Sequence, residues 1–132
     1  MSLPQIEPGS DKTILIVHPN IDLCNSIGEA LKSIGFGVVI AQDGDMAITL
    51  FDIYKDQIVL VLLDIILPKK DGFTVLKEIK AEKDLPVIIL TNLDNGEDFQ
   101  KAKELGAQGY IIRSKTTPEE IAQKVKSIVV SV

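Results

Sequence analysis

Cysteine, tryptophan, long apolar runs and excess positive charge are what this 132-residue chain lacks. The single cysteine, Cys24, excludes an intramolecular disulfide and suits a reducing compartment, so a cytoplasmic location is expected. No apolar run approaches the roughly 18 residues that span a bilayer, and no membrane partner is expected. The opening Met1-Ser2-Leu3-Pro4 has neither a basic region nor an apolar stretch after it, so no signal peptide is expected. The 14 Lys and Arg face 19 Asp and Glu, for a net charge of −5. Such a domain binds nucleic acid poorly by itself, because neutralising phosphates takes clustered cations. What remains is 45% hydrophobic and 25% charged, the balance of a folded domain with a core of its own.

Residues 1–12 carry two prolines, a Gly-Ser pair and no periodicity, and read as a flexible lead-in. Residues 13–132 show one regular pattern and form a single domain. Strand-length apolar runs alternate with helix-period segments. Thr13 to Val17 is followed by Leu23, Ile27, Ala30, Leu31 and Ile34 at helical spacing, closed by Gly35. Phe36 to Ala41 is a strand, and Ala47, Leu50, Phe51 and Tyr54 mark a helix. Ile58 to Leu63 is an unbroken apolar run whose two faces must both be covered. Phe73, Leu76 and Ile79 mark a third helix, and Pro86 to Leu90 a fourth strand. Phe99, Ala102 and Leu105 mark a helix stopped by Gly106, and Gly109 to Ile112 a fifth strand. Thr117-Pro118-Glu119-Glu120 is a capping box with proline at the first helical position. This alternation predicts an α/β fold: a doubly wound, five-stranded parallel sheet of flavodoxin-like order 2-1-3-4-5 with five helices.

In such sheets chemistry sits beyond the carboxyl ends of the strands. The residues there are His18, Asp64, Thr91 and Arg113. Asp64 ends an apolar run, where a carboxylate is costly unless it reaches the rim; it reads equally as a turn residue before Pro68. Thr91 and Arg113 taken singly read as a strand-end hydroxyl and a solvent-reaching cation. His18 precedes Pro19 and is held extended by it. Cys24 reads as a packing residue, with no histidine pattern to activate it.

Several stretches together resemble the receiver domain of two-component response regulators, over essentially all of residues 13–130. They are Ile14-Leu15-Ile16-Val17, Ala41-Gln42-Asp43-Gly44, Leu63 to Phe73, Pro86 to Thr91, and Gly106-Ala107-Gln108-Gly109-Tyr110. The most specific is Asp64-x-x-x-Pro68-x-x-Asp71-Gly72. The resemblance implies a phosphorelay phosphoprotein, not an enzyme, in which Asp64 accepts a phosphoryl group from a sensor histidine kinase. It implies that Thr91 and Tyr110 switch with that event. It also implies that helix 4, strand 5 and helix 5 form a surface for partners or a homodimer. Lys101, Lys103 and Glu104 on helix 4 read as a solvated face, and no output domain is expected within these residues.

The sequence departs from the family where two acidic residues follow strand 1 and, with the acceptor aspartate, hold Mg²⁺. Here those degenerate metal-pair positions are His18 and Pro19. The family's Lys-Pro step after strand 5 is Arg113-Ser114, with Arg113 the phosphate-contacting residue. A family site of three carboxylates and one lysine is doubly negative; Asp64 with Arg113 is neutral. Mg²⁺ wants oxygen ligands at about 2.0–2.1 Å, so only weak Mg²⁺ binding is expected, and no other cofactor. Without proline the peptide bond after Arg113 is expected to be trans, since cis costs about 2.5–4 kcal/mol. Three functions compete. One is a phosphorylated switch; the next is a phosphorylation-independent pseudo-receiver, with Asp64 a relic or an ion-pair partner of Arg113. The third is a flavodoxin-type cofactor binder, disfavoured because residues 18–22 hold no glycine and the chain no tryptophan.

Overall fold

The computed structural model describes residues 12–92 and 96–130. In chain order these form β1 (Thr13–Val17), α1 (Ile21–Ser33), β2 (Gly37–Ala41), α2 (Gly44–Tyr54), β3 (Ile58–Leu63) and α3 (Gly72–Glu82). There follow β4 (Val87–Thr91), α4 (Gly96–Glu104), β5 (Gly109–Ile112), a 3₁₀ turn at Arg113–Lys115 and α5 (Pro118–Val130). The strands are parallel in the order β2-β1-β3-β4-β5, as the alternation predicts. Among the described residues no helix is long and apolar enough to cross a membrane. The lead-in expected over 1–12 lies outside the described residues except for Lys12, whose carbonyl accepts from Gly37 N.

The unbroken apolar strands follow from the two-residue period. Leu15, Val17, Val61, Leu63, Val87 and Ile89 point to one face, where they meet Ala47, Leu50 and Phe51 of α2 and Val75, Leu76 and Ile79 of α3. Ile14, Ile16, Leu60, Leu62, Ile88 and Leu90 point to the other, against Cys24, Ile27 and Leu31 of α1 and Ile121 and Val125 of α5. Burying each such aliphatic side chain stabilises the fold by about 1.5–3 kcal/mol. The three inner strands are thus fixed as a rigid platform, and the residues just beyond their carboxyl ends are held in place.

The helix ends match their sequence signals. Gly35 (φ +99°) and Gly106 (φ +100°) come after α1 and α4 in the left-handed region. The α5 capping box closes in both directions: Glu120 N donates to Thr117 Oγ1 at 3.1 Å and Thr117 N to Glu120 Oε1 at 2.9 Å. Three strand boundaries shift by one residue, one in β2 and both in β4. Strand β2 starts at Gly37 rather than Phe36. Strand β4 runs to Thr91, because Thr91 pairs in register with Ile112 and Pro86 has no N–H to give a ladder. Among the described residues no peptide bond is cis, so Arg113–Ser114 is trans.

Candidate functional site

Strands β1 and β3 are neighbours with Val17 opposite Leu63. The next residues along each chain, His18 and Asp64, therefore leave the sheet side by side. Asp64 N still donates to Val17 O, and His18 N to Ala41 O on the other neighbour, so both backbones remain part of the sheet. Both side chains are buried at the rim. With Pro19, Ile66, Thr91, Asn92 and Arg113 they line a cleft of about 290 Å³.

The Asp64 carboxylate has neighbours at both oxygens. Oδ1 accepts from Ile65 N at 2.7 Å and, at the longer 3.4 Å, from Ile66 N. Oδ2 lies 3.3 Å from His18 Nε2. The other ring nitrogen, Nδ1, accepts from Asn20 N at 3.0 Å. Burial pushes the His18 pKa below its ordinary value near 6.5; the Asp64 charge pulls it back up and Arg113 lowers it again. The ring is therefore neutral at pH 7. Since Nδ1 uses its lone pair on Asn20 N–H, the proton is on Nε2. The contact with Asp64 is the close approach of a neutral imidazole to a carboxylate, 3.3 Å from Nε2 to Oδ2, not an ion pair.

The loop after Asp64 explains much of the motif that carries the resemblance. Lys70 N donates to Pro68 O at 2.8 Å across Lys69 (φ +74°), a tight γ-turn. That turn is pinned to α2 by Gly44 N donating to Pro68 O. It is pinned to α3 by Gly72 N donating to Ile65 O at 2.8 Å. A Cβ at Gly44 would overlap the Lys70 carbonyl, and one at Gly72 the Asp64 carbonyl. Asp71 caps α3, accepting from Thr74 N and Thr74 Oγ1. Asp43 does the same for α2 through Met46 N. These motif residues are scaffold: they press two helix starts against the loop after Asp64.

Arg113 lines the cleft from the far side, but it forms no ion pair with Asp64 among the described residues, contrary to the pairing that their opposite charges suggest. Its Nε is buried with no hydrogen-bond partner. The group beside Asp64 Oδ2 is His18 Nε2 instead, 3.3 Å away on the neighbouring strand's end. Thr91 is buried in the cleft wall. Asn92 Oδ1 accepts from Ser114 N, tying the end of β4 to the turn after β5. Lys115 is exposed and does not line the cleft. Tyr110 is not in the cleft; its half-buried ring meets Phe99 of α4 edge-on, 5.6 Å between centroids. Lys101, read as solvated, places its ammonium 4.4 Å from the centre of the Phe73 ring.

The donor set does not fit Mg²⁺. Among the described residues no three His, Cys, Asp or Glu side chains gather to hold a metal. Pro19 has no side-chain oxygen, and His18 Nε2 carries a proton rather than a free lone pair. Sequence reasoning missed the anchoring of His18. The signal was available in His18-Pro19-Asn20: proline fixes the middle of a turn that brings the third residue's N–H back to the first side chain.

Comparison with known proteins agrees with this geometry. Residues 14–126 match the family of the response regulator receiver domain. The chain belongs to that family. It is 36% identical over 117 residues to a probable transcriptional regulator ycf27 of Cyanophora paradoxa, covering 89% of this chain and 48% of that protein. It is 36% identical over 110 residues to the transcriptional regulatory protein CpxR of Klebsiella pneumoniae, covering 83% and 46%. The BeF3-activated receiver domain of Klebsiella pneumoniae RstA superposes with a TM-score of 0.80 at 29% identity, covering 89% and 97%. The chain thus spans about half the length of the curated relatives it matches. It is a receiver domain of two-component signal transduction; such domains are typically non-enzymatic signalling modules that interact with histidine kinases.

Proposed function

We propose that this receiver signals mainly through protein contacts, with Asp64 at the acceptor position but the Mg²⁺-dependent route to its phosphorylation weak or silent. One observation carries this reading: Asp64 Oδ2 faces His18 Nε2 at 3.3 Å, where the family pattern needs acidic neighbours. Phosphoryl transfer relies on positioning and charge neutralisation, and the metal supplies much of the latter. In this reading Thr91 and Tyr110 are the switch pair, a histidine kinase or another signalling protein is the partner, and the α4-β5-α5 surface serves for docking or a homodimer. In this reading these residues make no direct contact with nucleic acid, in keeping with the net charge of −5.

A second reading has its own support. The Arg113 guanidinium faces the cleft with a buried, unpartnered Nε and can bind phosphate oxygens in bidentate fashion. Asp64 would then accept a phosphoryl group without metal. Intact-mass analysis after incubation with a small acyl-phosphate donor separates the two. The expected result is no phosphoryl mass with Mg²⁺, in a protein whose circular dichroism is unchanged. A Mg²⁺-dependent gain, absent in Asp64→Asn, overturns the main reading. A gain that ignores Mg²⁺ and needs Arg113 supports the second.

A further inference from the structure

We infer that His18 is a built-in latch: its ring, with Nε2 3.3 Å from Asp64 Oδ2, stands where a divalent cation would need to bind, and it is anchored too firmly to swing aside. The latch deepens the proposed function and rests on it, because it names what closes the site. A missing carboxylate alone would leave Asp64 Oδ2 open, and a cation could still bind there with water completing its shell. In this chain the ring already lies against that oxygen.

The anchoring comes from several directions. His18 N donates to Ala41 O at 3.0 Å, which fixes the backbone to β2. His18 O accepts from Cys24 Sγ at 3.5 Å, which fixes it to α1. The Cys24 thiol is buried, with its pKa pushed up to about 11, so it stays a thiol and a donor. The ring itself is hydrogen-bonded at Nδ1, and its Nε2 lies against Asp64. Asn20 N reaches Nδ1, and Asn20 is in turn the N-cap of α1, its side chain accepting from Leu23 N. Swinging the ring out would break the Asn20 N–H contact with Nδ1 and uncover the buried Asp64 carboxylate, which is penalised.

The tautomer decides what the ring can do. A metal-binding imidazole offers a lone pair and commonly donates its other N–H to an acceptor. Here the second nitrogen faces an N–H donor instead. The ring therefore presents a proton toward the carboxylate and is a poor ligand for any cation. His18 stands in for the cation's charge-stabilising role on Asp64 without being a cation.

The chain has one histidine, so its imidazole nitrogens are unambiguous in NMR spectra. The test tracks those nitrogens and the Ile65 amide while Mg²⁺ is added to millimolar levels. The wild type is expected to show bare Nδ1 and protonated Nε2, with neither the ring nor Ile65 moving. In Asp64→Ala the Nε2 proton is expected to lose its protection from exchange. His18→Ala opens the oxygen without adding a carboxylate and is expected to gain a weak Mg²⁺ response; His18→Asp is expected to bind roughly tenfold tighter again or better. A proton on Nδ1 in the wild type, or a ring that shifts with Mg²⁺, overturns the latch without any variant. So does a His18→Ala protein as silent as the wild type beside a responsive His18→Asp, which would mean that only a carboxylate is missing. Failure of the main functional reading is seen separately, as Mg²⁺-dependent phosphoryl mass on the wild type.

Discussion

On one flank of Asp64, toward β1, α2 and α3, nearly every group is pinned. His18 is held through its amide, its carbonyl and ring Nδ1. The Pro68 turn is clamped by Gly44 and Gly72. On the other flank, toward β4, α4 and β5, the packing thins. Among the described residues α4 buries a single side chain, Ala102, and Phe99 keeps 48% of its surface exposed. Three of the four β5 residues are only partly buried. Local opening is cheapest where buried apolar contacts are few. Asp64 thus sits on the stiff side of the cleft. Tyr110, and the β5 end that Asn92 ties to β4, sit on the side that moves at little cost.

The contrast can be broken most severely at Gly72. A side chain there meets the Asp64 carbonyl and Ile65 Cα, both backbone and unable to yield. Gly72→Ala is expected to cost about 2–3 kcal/mol, read as a fall in the urea midpoint at constant slope. Thr117→Ala removes one half of the α5 capping box, away from both flanks, and is expected to cost about 1 kcal/mol in the same assay. On the loose flank Phe99→Ala is expected to cost less than about 1 kcal/mol, because much of the ring is already in water. A cost at Phe99 equal to that at Gly72 would erase the distinction between the flanks.

The gentlest effect is a pH dependence that belongs to the stiff flank. Burial holds the His18 pKa below its ordinary value near 6.5. As pH falls through that value the unfolded chain takes up a proton that the folded chain refuses, so stability is full above it and declines below it. His18→Gln is expected to flatten that slope between pH 7 and about pH 5 in thermal melts. Asp71 and Glu120 add a separate decline at more acid pH. Burial raises the Asp71 pKa, but hydrogen bonds from Thr74 bring it below the ordinary carboxylate range. The Thr117 backbone N–H does the same for Glu120.

Much of the fold was legible because its cause is local. Ile58 to Leu63 is apolar at every position, which only a strand covered on both faces accounts for, and β3 spans those residues. Thr117 to Glu120 carries its own cap partners within one turn. The site was legible as a set of positions, since strand ends in a parallel sheet share one edge; His18, Asp64, Thr91 and Arg113 do line one cleft. Its pairing was not legible. Asp64 and Arg113 carry opposite charges and looked like partners, yet a neutral imidazole on the adjacent strand has the contact.

By itself the sequence determined the alternation of strands and helices, the two apolar faces of the sheet and the residues that stand at its rim. These depend on periods of two and of about 3.6 residues, which neighbours along the chain set among themselves. Only the tertiary structure decided which rim residue reaches Asp64, which ring nitrogen keeps its proton and why Gly44 and Gly72 carry no side chain. Those outcomes depend on groups far apart in sequence that strand order and register bring within a few ångströms, in a buried place where each donor and acceptor must find a partner.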